Sequence, residues 1–257
     1  PADSAPPSKE LWDAWLGPAP MQPYNVNKTF YNFRWFYDFS GGQLTNFGVH
    51  YNDTMRMLMQ LGVPRSVTAL GGKYVVNDNR QIPDTLVVLW EYDNPATGSP
   101  SLNSYEQYNG NGAPGNIKDM ELEFRGTLGT LYMQNANWEI VPERNHSVAP
   151  KPRSPLDRDE SEFRASYKPA MAAKQGKGSA STAFHTRNFL DCLKSRKETN
   201  CPALEGHLSN VGPLMGNIAH KTRTHLQFDA KTERFTNSEE ANKYLHYEYR
   251  KGYSIDL

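Results

Sequence analysis

Leu44, Phe47, Tyr51, Met55 and Leu58 recur at spacings of three and four, and no other run constrains the fold as tightly. The spacing predicts a helix over 44–61 with one apolar face. Gly62 and Pro64 follow it, an ordinary helix exit. Ahead of it stand the pair Gly41-Gly42 and an aromatic, strand-like run, Phe33-Arg-Trp-Phe-Tyr-Asp-Phe39. Asn46, His50 and Asp53 fall at i, i+4 and i+7, so a continuous helix would place them on a second face. A strand, a glycine turn and such a helix can present an imidazole at the mouth of a cleft.

The rest of the chain reads as strands first and helices later. Residues 66–76, 85–92 and 121–125 have strand character. Leu86, Val88, Trp90 and Tyr92 alternate onto one face. Residues 130–133 and 138–141 read as a hairpin around Gln134–Asn137, and short strands in sequence imply antiparallel pairing. Residues 93–118 read as a loop, and 142–181 as a long polar, flexible one. Helices are expected over 182–196, over 207–223 with a kink or delay at Pro213, and over 238–246. The first 25 residues are proline-rich and read as an extended arm whose tryptophans pack on the body. The fold class is therefore α+β: a mostly antiparallel open sheet with helices packed on one face, spanning 26–257 behind the arm.

Composition excludes several functions. Lys plus Arg is 28 and Asp plus Glu is 28, so no net charge draws the chain to nucleic acid or an anionic membrane. No apolar run reaches the ~20 residues of a membrane span. Cys192 and Cys201 make neither a disulfide framework nor a metal site, and no metal is expected. Gly110-Asn-Gly-Ala-Pro-Gly115 has the spacing of a dinucleotide fingerprint, but no apolar strand precedes it and Pro114 stands where a helix must start. Asn27, Asn52 and Asn145 open short glycosylation patterns of the kind that arise by chance.

The segment Gly41-Gly-Gln-Leu-Thr-Asn-Phe-Gly-Val-His-Tyr-Asn-Asp53 resembles the signature of the Gfo/Idh/MocA oxidoreductases, roughly Gly-Gly-x-Leu-x-Asp-x-Gly-x-His-x-x-Asp. Asn46 stands where most members carry Asp. Gly71-Gly-Lys73, Pro83-Asp-Thr85, Gly126-Thr-Leu-Gly-Thr-Leu131, Asn188–Arg196, Gly216-Asn-Ile-Ala219 and Glu240–Arg250 extend the resemblance from Leu11 onward. It covers only the family's C-terminal, substrate-side domain. It implies a whole protein that oxidises or reduces a sugar, polyol or glycoside hydroxyl. NAD or NADP would be bound mainly by a Rossmann domain whose Glu-Lys-Pro motif supplies a catalytic Lys. It also implies a homo-oligomer formed through the open sheet face, in the bacterial cytoplasm or periplasm. Glycoside cleavage with recycled NAD, and a non-catalytic sugar-binding or dimerisation module, are alternatives.

The resemblance places His50 beside the reacting hydroxyl as the proton acceptor. An Asp at position 46 would stabilise the imidazolium; Asn46 hydrogen-bonds but carries no charge. Asp53 either orients His50 or is a solvated acid or partner for Arg56. Arg34 and Lys73 can reach a sugar or cofactor phosphate, or merely carry polar tips on strands. His185 either faces the substrate cleft or only structures a helix start. Tyr31 lies on a loop bordering the cleft, where an aromatic face can stack on a sugar or simply pack.

Overall fold

The computed structural model describes residues 1–112, 121–143, 169, 171–179 and 181–254. The chain divides into two compact units, Pro1–Gly112 with Cys201–Leu257, and Ala113–Asn200. Each contains an open antiparallel sheet, so the fold is α+β.

The first unit holds a five-stranded sheet of order β3-β2-β1-β8-β9, made of β1 (Ser66–Gly72), β2 (Thr85–Asn94), β3 (Ser99–Tyr108), β8 (Leu226–Asp229) and β9 (Arg234–Phe235). Alternation places β2 as expected: Leu86, Val88, Trp90 and Tyr92 are all buried. Against that face pack α2 (Gly42–Asn46), α3 (Gly48–Met59) and α5 (Ala203–Thr222), joining Leu44, Val211, Met215, Ile218 and Ala219 to one core. The second unit holds β4 (Leu122–Arg125), β5 (Gly129–Gln134), β6 (Asn137–Pro142) and β7 (Lys174–Lys177) in sequence order, with α4 (Thr182–Ser195). The hairpin lies where the sequence places it, with Gln134 facing Asn137. Ser181, one residue earlier than expected, caps α4 by accepting from the Ala183 N–H.

Several expectations are corrected. The strands over 66–141 lie in two sheets, not one. Residues 93–118 are not all loop, because β3 pairs with β2 along its whole length, from Thr85↔Tyr108 to Asn94↔Ser99. Its Ser, Asn and Glu side chains suit an exposed edge strand, and the backbone ladder rather than apolar burial forms it. Within 142–181, Lys174–Lys177 is a strand; residues 144–168 lie outside the described ones, as do Asn145 and Ala113–Gly115 of the glycine-rich run. The strand-like aromatic run at 33–39, with the residues just before it, is not extended. It folds into a 3-10 turn at Asn32–Trp35, preceded by Tyr31 at φ 61°, which no strand accommodates.

The arm is likewise not extended. Its residues Lys9–Leu16 form α1, capped by Ser8, which accepts from the Leu11 N–H. Trp12 is buried and donates to the Gln22 carbonyl, while Trp15 remains partly exposed. Arg250 grips the far end of α1, donating to the Asp13 carboxylate and to the Asp13 and Gly17 carbonyls. The Glu240–Arg250 motif thus fastens the C-terminal end to the arm. Among the described residues no helix is long and apolar enough to cross a membrane.

Candidate active site

The glycine pair is required by its surroundings. Gly42 has φ 73°, and a Cβ there would stand 2.4 Å from Ile82 Cγ2. A Cβ on Gly41 would meet the Asn217 side chain at 2.6 Å. Asn217 is buried and donates to the Gly41 carbonyl at 2.8 Å. Farther along α5, His220 Nε2 and Arg223 Nη1 reach the Gly71 carbonyl at 3.2 and 2.9 Å. The C-terminal end of α5 therefore braces both the turn at Gly41 and Gly42 and Gly71 near the end of β1. Burial lowers the His220 pKa, and the ring packs on that carbonyl, to which Nε2 donates.

The helix behind the turn is not continuous. It breaks at Phe47, so Asn46 ends α2 and His50 lies in the first turn of α3, its N–H bonded to the Phe47 carbonyl at 3.0 Å. The buried stripe is also rotated from the expected one. Leu44, Gly48, Asn52 and Arg56 face inward, with Met55 and Met59 against the core, while Phe47 and Leu58 are exposed. His50 is exposed and Asn46 half-buried. Among the described residues no hydrogen bond joins Asn46, His50 and Asp53. Asp53 instead accepts from Ser209 Oγ at 2.6 Å, and Ser209 Oγ accepts from Arg56 Nη1 at 2.7 Å. Asp53 is thus tied to α5 and is linked to Arg56 only through the Ser209 hydroxyl.

The other candidates are dispersed. Arg34 donates to the Tyr31 carbonyl at 2.9 Å and lies 4.6 Å over the Tyr31 ring, a local clasp that leaves the ring exposed. Lys73 is exposed and donates to the Asp78 carbonyl at 3.2 Å. His185 is exposed on α4 and belongs to the other unit.

Asp84 was not singled out as a site residue, although it belongs to the quoted Pro-Asp-Thr motif. It is fully buried and accepts from the backbone N–H groups of Tyr74, Val75 and Val76 and from the Thr85 hydroxyl. Burial alone would raise its pKa, but these four donors together hold it at about 2. It clamps the loop that carries Lys73. Because the folded value is depressed, its contribution to stability is full above the ordinary carboxylate value and is lost as pH falls from about 4 toward 2. Asp84→Asn should cost on the order of 2–3 kcal/mol at neutral pH and flatten that acid limb, as urea unfolding between pH 2 and 7 would show.

The family model described as "Oxidoreductase family, C-terminal alpha/beta domain" matches residues 2–70 and 164–255, more than half of the chain. Similar solved structures include the WlbA dehydrogenase from Bordetella pertussis in complex with NADH and UDP-GlcNAcA. It is 14% identical with a TM-score of 0.44, over 76% of this chain and 48% of that one. An oxidoreductase from Agrobacterium radiobacter in complex with NAD+, L-tartaric acid and magnesium is 16% identical with a TM-score of 0.41, over 70% and 47%. The chain thus spans about half the length of these proteins. Among curated proteins no match is found. The glycine turn with Asn46 and His50 falls inside the first matched segment, and the α5 residues that brace it fall inside the second; the chain belongs to the Gfo/Idh/MocA oxidoreductase family, as its C-terminal alpha/beta domain.

Proposed function

We propose that this domain forms the substrate wall of an NAD(P)-dependent oxidoreductase acting on a sugar, polyol or glycoside hydroxyl, with His50 as the group that takes the hydroxyl proton. One observation carries the reading: inside a family-matched segment, an exposed imidazole stands one turn into α3, directly behind a rigid glycine turn. Imidazole exchanges a proton near neutral pH, as an alcohol–carbonyl interconversion requires. Asn46, at the end of α2, can hydrogen-bond a substrate hydroxyl but cannot act as a base. Tyr31, Arg34, Lys73 and His185 are proposed as substrate contacts. Asp53 is proposed to act by holding α3 in place.

Among the described residues, the glycine turn does not fit a dinucleotide. Asn217 and Ile82 fill the space in front of Gly41 and Gly42, and α2 behind them is only five residues long. The nicotinamide would be held by a separate Rossmann domain of the whole protein, and when bound it would supply hydride chemistry. Homo-oligomerisation through the uncovered sheet face is part of the proposal. On that face Leu70 stands opposite Val87, Thr68 opposite Leu89 and Glu91 opposite Leu102, and Leu70 and Leu102 are about 70% exposed.

Asn46, which carries no charge to stabilise an imidazolium, favours one alternative, a sugar-binding module without turnover. The test is to supply the whole protein with NAD or NADP and a panel of sugars, polyols and glycosides, and to follow nicotinamide absorbance. Net reduction supports the reading. Glycoside cleavage without net reduction would move it to redox-assisted cleavage, and no conversion of any substrate would leave the binding module.

A further inference from the structure

A small cleft away from His50 joins two distant stretches of the chain. Asn27, Asn32 and Trp35 form one wall, and Asp78, Asn79 and Arg80 the other. The walls are pinned together. Asn27 Nδ2 donates to Asn79 Oδ1 at 2.8 Å, the Gln81 and Ile82 N–H groups reach the Trp35 carbonyl at 3.0 and 3.3 Å, and the Tyr37 N–H donates to Gln81 Oε1 at 2.9 Å. Arg80 lies 5.0 Å over the Trp35 ring and grips the Asp78 carboxylate through Nε and Nη2 at 2.8–3.0 Å. Such cross-bracing fixes the cleft before any ligand arrives, which lowers the entropy cost of binding.

Polar groups remain unspent inside it. The indoles of Trp12, Trp15 and Trp90 each donate to a backbone carbonyl, but that of Trp35 donates to no described residue. Neither Arg80 Nη1 nor the Asn32 side-chain amide bonds to a described residue, and the Asn27–Asn79 bond leaves one amide oxygen and one amide nitrogen open. Residues carrying open donors and open acceptors therefore line the same cleft. The only carboxylate is already matched by the only guanidinium, so the cleft has no charge to offer an ion. The space open to water-sized centres, about 60 Å³, is several times the ~10–15 Å³ that one water needs, so the cleft takes more than one oxygen-sized group.

We propose that this cleft is a saccharide subsite that takes two adjacent hydroxyls of a neutral sugar or polyol, the rest of the molecule lying at its mouth. Hydroxyls donate and accept at once, which matches a lining that offers both open donors and open acceptors. The proposal rests on the carbohydrate reading of the protein, but its test needs no cofactor. Ile82 links the subsite to the glycine turn, since its backbone bonds Trp35 and its side chain packs on Gly42.

The 257-residue chain would be titrated with methyl β-D-glucopyranoside and with myo-inositol, using saturation-transfer NMR to read binding. At least one probe should bind in the millimolar range. Asn79→Ala and Trp35→Phe should each weaken it about fivefold, the worth of one hydrogen bond, with circular dichroism unchanged. Asn79 is exposed, so its truncation leaves the fold intact. No binding of either probe, or equal binding by both variants, overturns the subsite. Nicotinamide turnover with an unchanged KM in Asn79→Ala would sink the subsite and leave the redox reading standing. Probe binding lost in Asn79→Ala, in a protein that shows no turnover, would do the reverse.

Discussion

His50→Ala is expected to lower turnover by about two to four orders of magnitude, the usual worth of a positioned acid–base group, while sugar affinity changes little. The expectation follows from geometry and from what surrounds the ring. His50 is exposed at the start of α3, and among the described residues no hydrogen bond engages its imidazole, so no structural duty competes for it. Its removal should cost little stability, because an exposed side chain outside the core and without a hydrogen bond among the described residues is within about 0.5 kcal/mol of neutral. The pair of readouts matters: lost turnover with an unchanged unfolding midpoint assigns a chemical role. Asn46→Asp would add a negative group at the end of α2, stabilise the imidazolium, and move the acid limb of the pH–rate profile upward. Steady-state kinetics across pH on both variants decides this. Near wild-type turnover in His50→Ala would remove the imidazole from the mechanism.

The sequence reveals most where one physical signal acts alone. Strand β2 is legible because period-two burial needs nothing beyond Leu86, Val88, Trp90 and Tyr92. Strand β3 is not, because an edge strand is held by backbone pairing and its side chains look like those of a loop. The face of α3 was misread for the opposite reason. Its inward stripe is Gly48, Asn52 and Arg56, chosen by hydrogen bonding rather than hydrophobicity.

Pro213 shows the same blindness. It lies inside an unbroken α5, where the Ser209 carbonyl would ordinarily accept its N–H. Asn52 Nδ2 donates to that carbonyl at 2.7 Å instead, and Tyr92 OH in turn donates to Asn52 Oδ1 at 2.9 Å. Burial raises the Tyr92 pKa and keeps the donating proton in place. A partner 157 residues away removes most of the cost that the local rule assigns to proline. It also buries Asn52, so its glycosylation pattern is unavailable. The candidate site divides along the same line. The motif places His50 and the glycines, but the bonds of Asn217 to the Gly41 carbonyl and of Arg223 to the Gly71 carbonyl in β1 come from tertiary structure. Asp53 faces α5 because Ser209 is there.

Arg56→Met is expected to destabilise the protein by about 2–4 kcal/mol, more than any other change in the α3–α5 contact. Arg56 is 4% exposed and acts on three sites at once: Nε donates to the Gly62 carbonyl at 2.9 Å, Nη1 to Ser209 Oγ at 2.7 Å, and Nη2 lies 3.4 Å from the Glu205 carboxylate. Methionine fills similar space, so the loss is that of the bonds to the buried Ser209 hydroxyl and the part-buried Gly62 carbonyl rather than of a cavity. Glu205 is half exposed and regains water, so its share is small. Asp53→Asn should cost less than about 1 kcal/mol, because the amide oxygen still accepts from Ser209 Oγ. It should also leave turnover near wild type if Asp53 only seats the helix. Urea unfolding of both variants, read beside their kinetics, separates the roles. A stable Arg56→Met would mean that apolar packing alone seats α3. A collapse of turnover in a stable Asp53→Asn would return that carboxylate to the chemistry of His50.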